Sequence, residues 1–243
     1  MIKTENEKLK KSIADIRIYS SSIRNIDGNS MPQDINNRKA ILAARRVAMK
    51  LRENDFSLGD FDHLYINFTT CPTEDGMSLA GRSIDRYHSW YRYYDYQIDE
   101  SVLGTINTED FAEKVLDYIQ KILLAFFASS EEDAKLITES VKAAREGEQM
   151  KMKYKEKRSA KATAVVFLRL YNDGRYHPLL WVNDSEGKLL LKRELKPCSD
   201  LGSFGSIQLS SRRITIKPRQ SELYSRRKPI TFEFDQRKKR REL

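Results

Sequence analysis

The apolar residues of this chain change their spacing near residue 150, and that change limits the fold more than any other feature. Before it, helical and strand periods alternate. After it, short strand-like runs are separated by turns. The helical signal is clearest in residues 111–128. Phe111, Val115, Ile119, Ile122 and Phe126 form one stripe there, and 123–127 is apolar almost all round, as in a central core helix. A second helix is predicted over residues 34–52. Ile41, Ala44, Ala48 and Leu51 share one face, Arg45, Arg46 and Lys50 lie mostly on another flank, and Pro32 suits the first turn. A third runs from Glu131 to about Glu146, with Ser129 or Ser130 as its N-cap and acids in its first turn. Residues 15–22 and 61–69 read as strands, the latter with Leu64, Ile66 and Phe68 alternating. Residues 20–30 and 72–83 read as loops.

Beyond residue 162 the predicted strands are 163–171, 176–182, 188–195, 204–209, 213–217 and 230–234. Asn172-Asp173-Gly174 marks a hairpin, because glycine takes positive φ cheaply. The polar, basic run 147–162 reads as a helix tail or linker, and the domain boundary is placed there. The expected fold class is therefore α+β. An N-terminal mixed α/β domain, residues 1–150, precedes a mostly antiparallel β domain, residues 151–243, with a basic tail.

Several function classes lack their signatures. Two cysteines, Cys71 and Cys198, make neither a disulfide framework nor a cysteine-rich zinc site. No apolar run reaches the ~18 residues of a membrane span, and the start carries no apolar signal stretch. A cytoplasmic protein with no membrane contact is expected. His63, His88 and His177 have no metal-ligand spacing, so no metal is implied, although a site built in three dimensions from His88 and distant carboxylates stays open. No phosphate-binding loop or nucleophile elbow occurs, and Gly202-Ser203-Phe204-Gly205 is only a short turn. No cofactor is implied. Glu146-Gly147-Glu148 matches a transferase motif in letters only, since it ends a helix. Cys71 beside His63 is weighed as a nucleophile against the more ordinary buried, inert thiol.

The net charge of +9 is unevenly spread. Residues 1–150 carry 20 Lys+Arg and 25 Asp+Glu, net −5, and residues 151–243 carry 24 and 10, net +14. A basic half suggests an acidic partner such as nucleic acid or another polyanion, or simply a solubilising surface. Lys151, Lys153, Lys155, Lys157, Arg158, Arg212, Arg213, Arg226, Arg227 and Lys228 are the candidate phosphate contacts.

Six aromatics fall between Tyr87 and Tyr96, interleaved with arginine, histidine and aspartate. This is the composition of protein interface hot spots, and arginine with aromatic faces also stacks single-stranded bases. The alternative is an aromatic strand with one face in the core. Alternation places Trp90, Arg92, Tyr94 and Tyr96 on one side and Tyr91, Tyr93 and Asp95 on the other. The candidate partner-binding residues are Arg82, Arg86, His88, Trp90, Tyr91, Arg92, Tyr94 and Asp95. Within this set Arg86, Trp90, Arg92 and Tyr94 are the leading surface.

The strand LYINFTTCP, the short acidic loop after it, the segment RSIDRYHSWYRYYDYQID and the helical stretch that follows resemble bacterial immunity proteins of polymorphic-toxin systems, over about residues 60–120. The resemblance implies a non-catalytic cytosolic protein that binds a toxin domain and neutralises it by occlusion. Two alternatives stand beside it. One is a nucleic-acid-binding protein using the basic half. The other is an enzyme with scattered catalytic residues, for which Arg82, Arg86, His88 and Asp95 are the one candidate cluster.

Overall fold

The computed structural model describes residues 10–24, 31–81, 88–224 and 226–234. The chain divides into two compact units, Met1–Met150 and Lys151–Leu243. The first mixes helices with a mixed sheet and the second is antiparallel β, so the fold class is α+β as the spacing indicated.

Among the described residues of the first unit, five strands lie in the order β2-β1-β3-β5-β4. They are β1 (Asp15–Ser21), β2 (Gln33–Asp34), β3 (His63–Thr69), β4 (Met77–Leu79) and β5 (Tyr91–Gln97). Strands β1, β3 and β5 are mutually parallel, while β2 and β4 run antiparallel at the edges. The crossover from β1 to β3 carries α1 (Arg38–Glu53), which packs on β1. After β5 come the short α2 (Glu100–Gly104), then α3 (Glu109–Phe127) and α4 (Glu131–Ala144). Helices α1, α3 and α4 pack on one another, and α3 touches β5.

The helices gather on the sheet face that carries Ile16, Ile18, Leu64, Ile66 and Phe68, all 5% exposed or less. Each such side chain contributes roughly 1.5–3 kcal/mol when fully buried. The α3 stripe meets this face directly. Phe111 lies edge-on to Phe68 at 5.3 Å between ring centroids, and Tyr118 sits 5.0 Å from Tyr96.

Helix α1 begins later than the pattern suggested. Asn37, not Pro32, sets its start. The Asn37 carboxamide oxygen accepts from the Ala40 N–H at 3.0 Å, and its nitrogen donates to the carbonyls of Ile106 and Thr108 at 2.9 and 2.7 Å. One buried side chain thus caps α1 and ties it to the segment that leads into α3. Ser130 caps α4 as expected, accepting from the Asp133 N–H at 3.1 Å.

Among its described residues the second unit holds seven strands in two antiparallel sheets. One has the order β6 (Met152–Arg158), β7 (Ala162–Leu170), β8 (Tyr176–Asp184), β9 (Leu189–Glu194). The other is β10 (Ser206–Leu209), β11 (Arg213–Lys217), β12 (Ile230–Glu233). Both share one core, in which Ala164, Val166, Leu180 and Val182 meet Phe204, Ile214 and Ile216. Gly174 turns the β7–β8 hairpin at φ 77°.

The basic run read as a helix tail or linker is corrected here. Residues 152–158 form β6, paired along β7 from Met152↔Leu168 to Arg158↔Thr163. Its polar composition misled because an edge strand needs few apolar side chains when its backbone is held by a neighbour.

Replacing Asn37 tests the two-sided role of its carboxamide. Asn37→Ala is expected to lose ~2–3 kcal/mol, from a lost cap and two orphaned carbonyls. Asn37→Asp keeps the acceptor but cannot donate, and should also destabilise. Urea denaturation reads both. A wild-type midpoint for Asn37→Asp would reduce the residue to a simple cap.

Candidate functional site

Parallel register sorts the three central strands into rows. Asp15, His63 and Tyr91 align, then Arg17, Tyr65 and Tyr93, then Tyr19, Asn67 and Asp95, then Ser21, Thr69 and Gln97. Successive side chains of a strand alternate faces. These rows therefore share the face opposite Leu64, Ile66 and Phe68, where none of α1, α3 and α4 lies. The result is an aromatic array on the sheet face opposite α1, α3 and α4, with Tyr65 buried and Tyr19, Tyr91 and Tyr93 half-buried.

Its rings are in mutual contact. Tyr65 and Tyr91 stack at 4.7 Å and 7° between planes. Tyr93 stands edge-on to Tyr65 at 5.1 Å, and Tyr19 lies 5.4 Å from Tyr65 and 5.5 Å from Tyr93. The Arg17 guanidinium sits 5.4 Å from the Tyr65 ring centre and pairs with Asp15 at 3.2 Å. Trp90 precedes β5 in a turn, and its carbonyl accepts from the N–H groups of both Asp62 and His63 at 3.1 Å. Its ring stands edge-on to His63 and Tyr91, each at 4.8 Å, and remains 36% exposed. His88 is exposed at the margin, 5.8 Å from the Tyr91 ring.

The expected face assignment is half correct. Tyr91, Tyr93 and Asp95 do lie opposite Arg92, Tyr94 and Tyr96. Trp90 joins the first group because it sits in the turn, outside the strand's alternation. Arg92 and Tyr94, read as leading surface residues, are corrected: both lie on the helix-covered face. Tyr94 is 7% exposed and packs on Phe126 and Phe127 at 4.8 and 5.3 Å. Arg92 donates to the Ser89 and Tyr91 carbonyls at 3.1 and 2.8 Å and lies over Phe61, so it clamps the turn. Asp95 is buried and accepts from the Asn67 amide at 2.8 Å. Arg82 and Arg86 lie outside the described residues. Arg17, Tyr19 and Tyr65 belong to the array but were not expected there, and His63, weighed only as a metal ligand or a partner of Cys71, joins them. The alternation of DIRIYSS and HLYINFT could have marked them.

Among the described residues the weighed pairing of Cys71 with His63 is not formed. Cys71 is buried and beyond the far end of β3 from His63, roughly 20 Å along the strand. Among the described residues no group of three metal-ligating side chains comes together.

The basic candidates of the second unit are scattered. A bulge between Lys153 and Lys155 puts Lys153 and Arg158 on one face of β6, where both pair with Glu156, and Lys155 and Lys157 on the other. Lys151 sits over the Trp181 ring at 5.2 Å. Arg212 and Arg213 are exposed where β11 begins, as are Arg226 and Lys228 before β12. Arg227 pairs with Asp200 at 2.8 Å and covers the Tyr224 ring.

Comparison with known protein families, curated proteins and solved structures finds no match to this chain. The described part holds no helix long and apolar enough to cross a membrane.

Packing in the array alters its chemistry. Burial pushes the Tyr65 hydroxyl up to about 12, against the opposing pull of Arg17. Burial raises Tyr93 and Tyr19 as well. In an unfolded chain these hydroxyls ionise near ~10. Above that pH the folded state holds more protons than the unfolded state, so stability present in full at neutral pH falls as pH rises past ~10. Denaturation at about pH 9 and about pH 11 should show this fall, and the Tyr65→Phe/Tyr93→Phe double variant should flatten it. An equally steep fall in the double variant would detach the alkaline response from the array.

Proposed function

We infer that this chain is a non-catalytic protein-binding module that neutralises a partner by occlusion, in the manner of an immunity protein acting on a toxin domain. The observation that carries the reading is the ordered aromatic array around Trp90 on the sheet face opposite α1, α3 and α4. Tyrosine and tryptophan give large contact area with a polar edge and few torsions to freeze, which is why they dominate binding hot spots.

The charge around the array favours a basic partner surface. Asp15, Asp60 and Asp62 are partly exposed near its Trp90 end, and the first 150 residues are net −5. A phosphate backbone would meet repulsion there, whereas lysine and arginine side chains find both carboxylates and ring faces. Occlusion then requires only that a toxin's working surface be covered. The proposed role is cytoplasmic and needs no cofactor.

The test is protection. The reading predicts a toxin gene adjoining the gene of this chain, and co-expression with that toxin domain should restore growth. Trp90→Ala and Tyr91→Ala should each weaken binding to the purified toxin domain by about tenfold or more, with little change in melting temperature. Tyr94→Ala should instead lower stability by ~3–5 kcal/mol, because it empties a site under α3. Full protection by the Trp90→Ala/Tyr91→Ala double variant would sink the occlusion reading.

A further inference from the structure

The second unit contains a concave groove of about 930 Å³ that the aromatic array does not involve. It lies where β11 ends, and its walls include Ser206, Lys217, Pro218, Arg219, Tyr224 and Pro229. Two close approaches shape it. Gly202 lies so near the Tyr224 ring, and Gly205 so near the Pro218 carbonyl, that a Cβ at either would collide. The Gly205 N–H donates to the Lys217 carbonyl at 2.7 Å, and the Arg219 N–H donates to the Gly202 carbonyl at 2.7 Å. These bonds hold the 217–219 segment rigid, with two cationic side chains at alternate positions, about 7 Å apart along an extended backbone.

The charges in this region are not equivalent. Arg227 is spent on Asp200 and Ser203, at 2.8 Å each, and on the ring of Tyr224. Arg219 donates to the Tyr154 hydroxyl at 3.0 Å, a neutral acceptor, and feels the Asp200 carboxylate through space without an ion pair to it. Lys217 is exposed and makes no ion pair with a described residue. Glu222 is the one carboxylate among the described lining residues. Lys155 lies beside Tyr154, and the unit as a whole is net +14.

We propose that this groove binds the phosphate backbone of a single nucleic acid strand, with Lys217 and Arg219 as its principal contacts. A duplex is read by an element that projects into its grooves, whereas a concave, basic channel receives one strand. Tyr224 is covered by Gly202 on one side and Arg227 on the other, so it offers no free face for a base. Binding is therefore electrostatic and indifferent to base sequence. DNA and RNA present the same phosphates, and the 2′-hydroxyl separates them if the groove contacts the sugar.

Fluorescence anisotropy of the full chain with labelled oligo(dT) and oligo(U) tests this. Binding should be strong at low salt and weaken with a log–log slope of about −0.7 per phosphate engaged. Lys217→Glu should weaken it about tenfold or more and reduce the slope by about 0.7 to 1. Arg219→Glu should do likewise, with its melting temperature checked because of the bond to Tyr154. Lys188→Glu, in the β8–β9 turn outside the groove, carries the same charge change and should have a small effect. Equal losses at Lys188 and Lys217 would overturn the proposal in favour of diffuse net charge. So would no binding at low salt, tighter binding to duplex of equal length, or preferential binding to phosphatidylserine vesicles. None of these outcomes depends on the aromatic array, which Trp90→Ala addresses separately.

Discussion

Parallel pairing of β1, β3 and β5 is the constraint from which the rest of the first unit follows. In a parallel sheet equivalent positions of neighbouring strands stand side by side, so three alternating strands yield two sharply different surfaces. Ile16, Leu64, Ile18, Ile66 and Phe68 fall on one and draw the helices to it. The connection between parallel strands must cross the sheet, and α1 supplies that crossing while covering the same apolar face. The other side receives four tyrosines, a histidine and an arginine, together with Asp15, Asn67, Asp95, Ser21, Thr69 and Gln97. A shift of one residue in any pairing would drive Phe68 or Ile66 outward and Tyr65 into the helices. The array and the core thus rest on the same hydrogen-bond register.

The rings are also fixed before any partner arrives. Tyr65 and Tyr91 stack, Tyr93 buttresses both, and Trp90 is anchored through its backbone to two N–H groups of the neighbouring segment. Arg92 adds to this from the opposite face by binding the carbonyls of Ser89 and Tyr91. Ordering a side chain on association costs about 0.5–1.5 kcal/mol. Much of that cost has been met in folding, so contact area at this face converts to affinity more fully than it would on mobile side chains.

Much of this architecture was legible in the residues, and the failures share a cause. The α3 stripe, the Leu64–Phe68 alternation and the Asn172–Gly174 hairpin are local signals, and each appears close to its expected place. The start of α1 was missed because Asn37 is held by carbonyls some 70 residues away, a bond with no trace in local spacing. Strand β6 was missed because its stability lies in its backbone pairing with β7 and not in its side chains. Alternation separated Tyr91 and Tyr93 from Tyr94 and Tyr96, but which set meets solvent depends on where the helices pack. Arg92 and Tyr94 were placed on the wrong side of that choice. Arg17, Tyr19 and Tyr65 alternate visibly within their own strands, but it is parallel register, linking segments almost 50 residues apart, that brings them together.

The two units carry opposite net charge, −5 and +14, and the surfaces on them draw on different physics. Contact at the aromatic array rests mainly on ring area withdrawn from water, which strongly excluded anions reinforce, with a smaller, salt-screened share from the carboxylates at its Trp90 end. Contact at the groove rests on Lys217 and Arg219 at solvent-accessible positions, where a Debye length of ~8 Å at physiological ionic strength already screens much of the field. The groove is also framed by glycine contacts and the array by strand register, so substitutions at one leave the packing of the other intact. Ionic strength therefore separates the two surfaces without any mutation. A partner that stays bound at high salt belongs to the array, and one released steeply between low and physiological salt belongs to the basic unit.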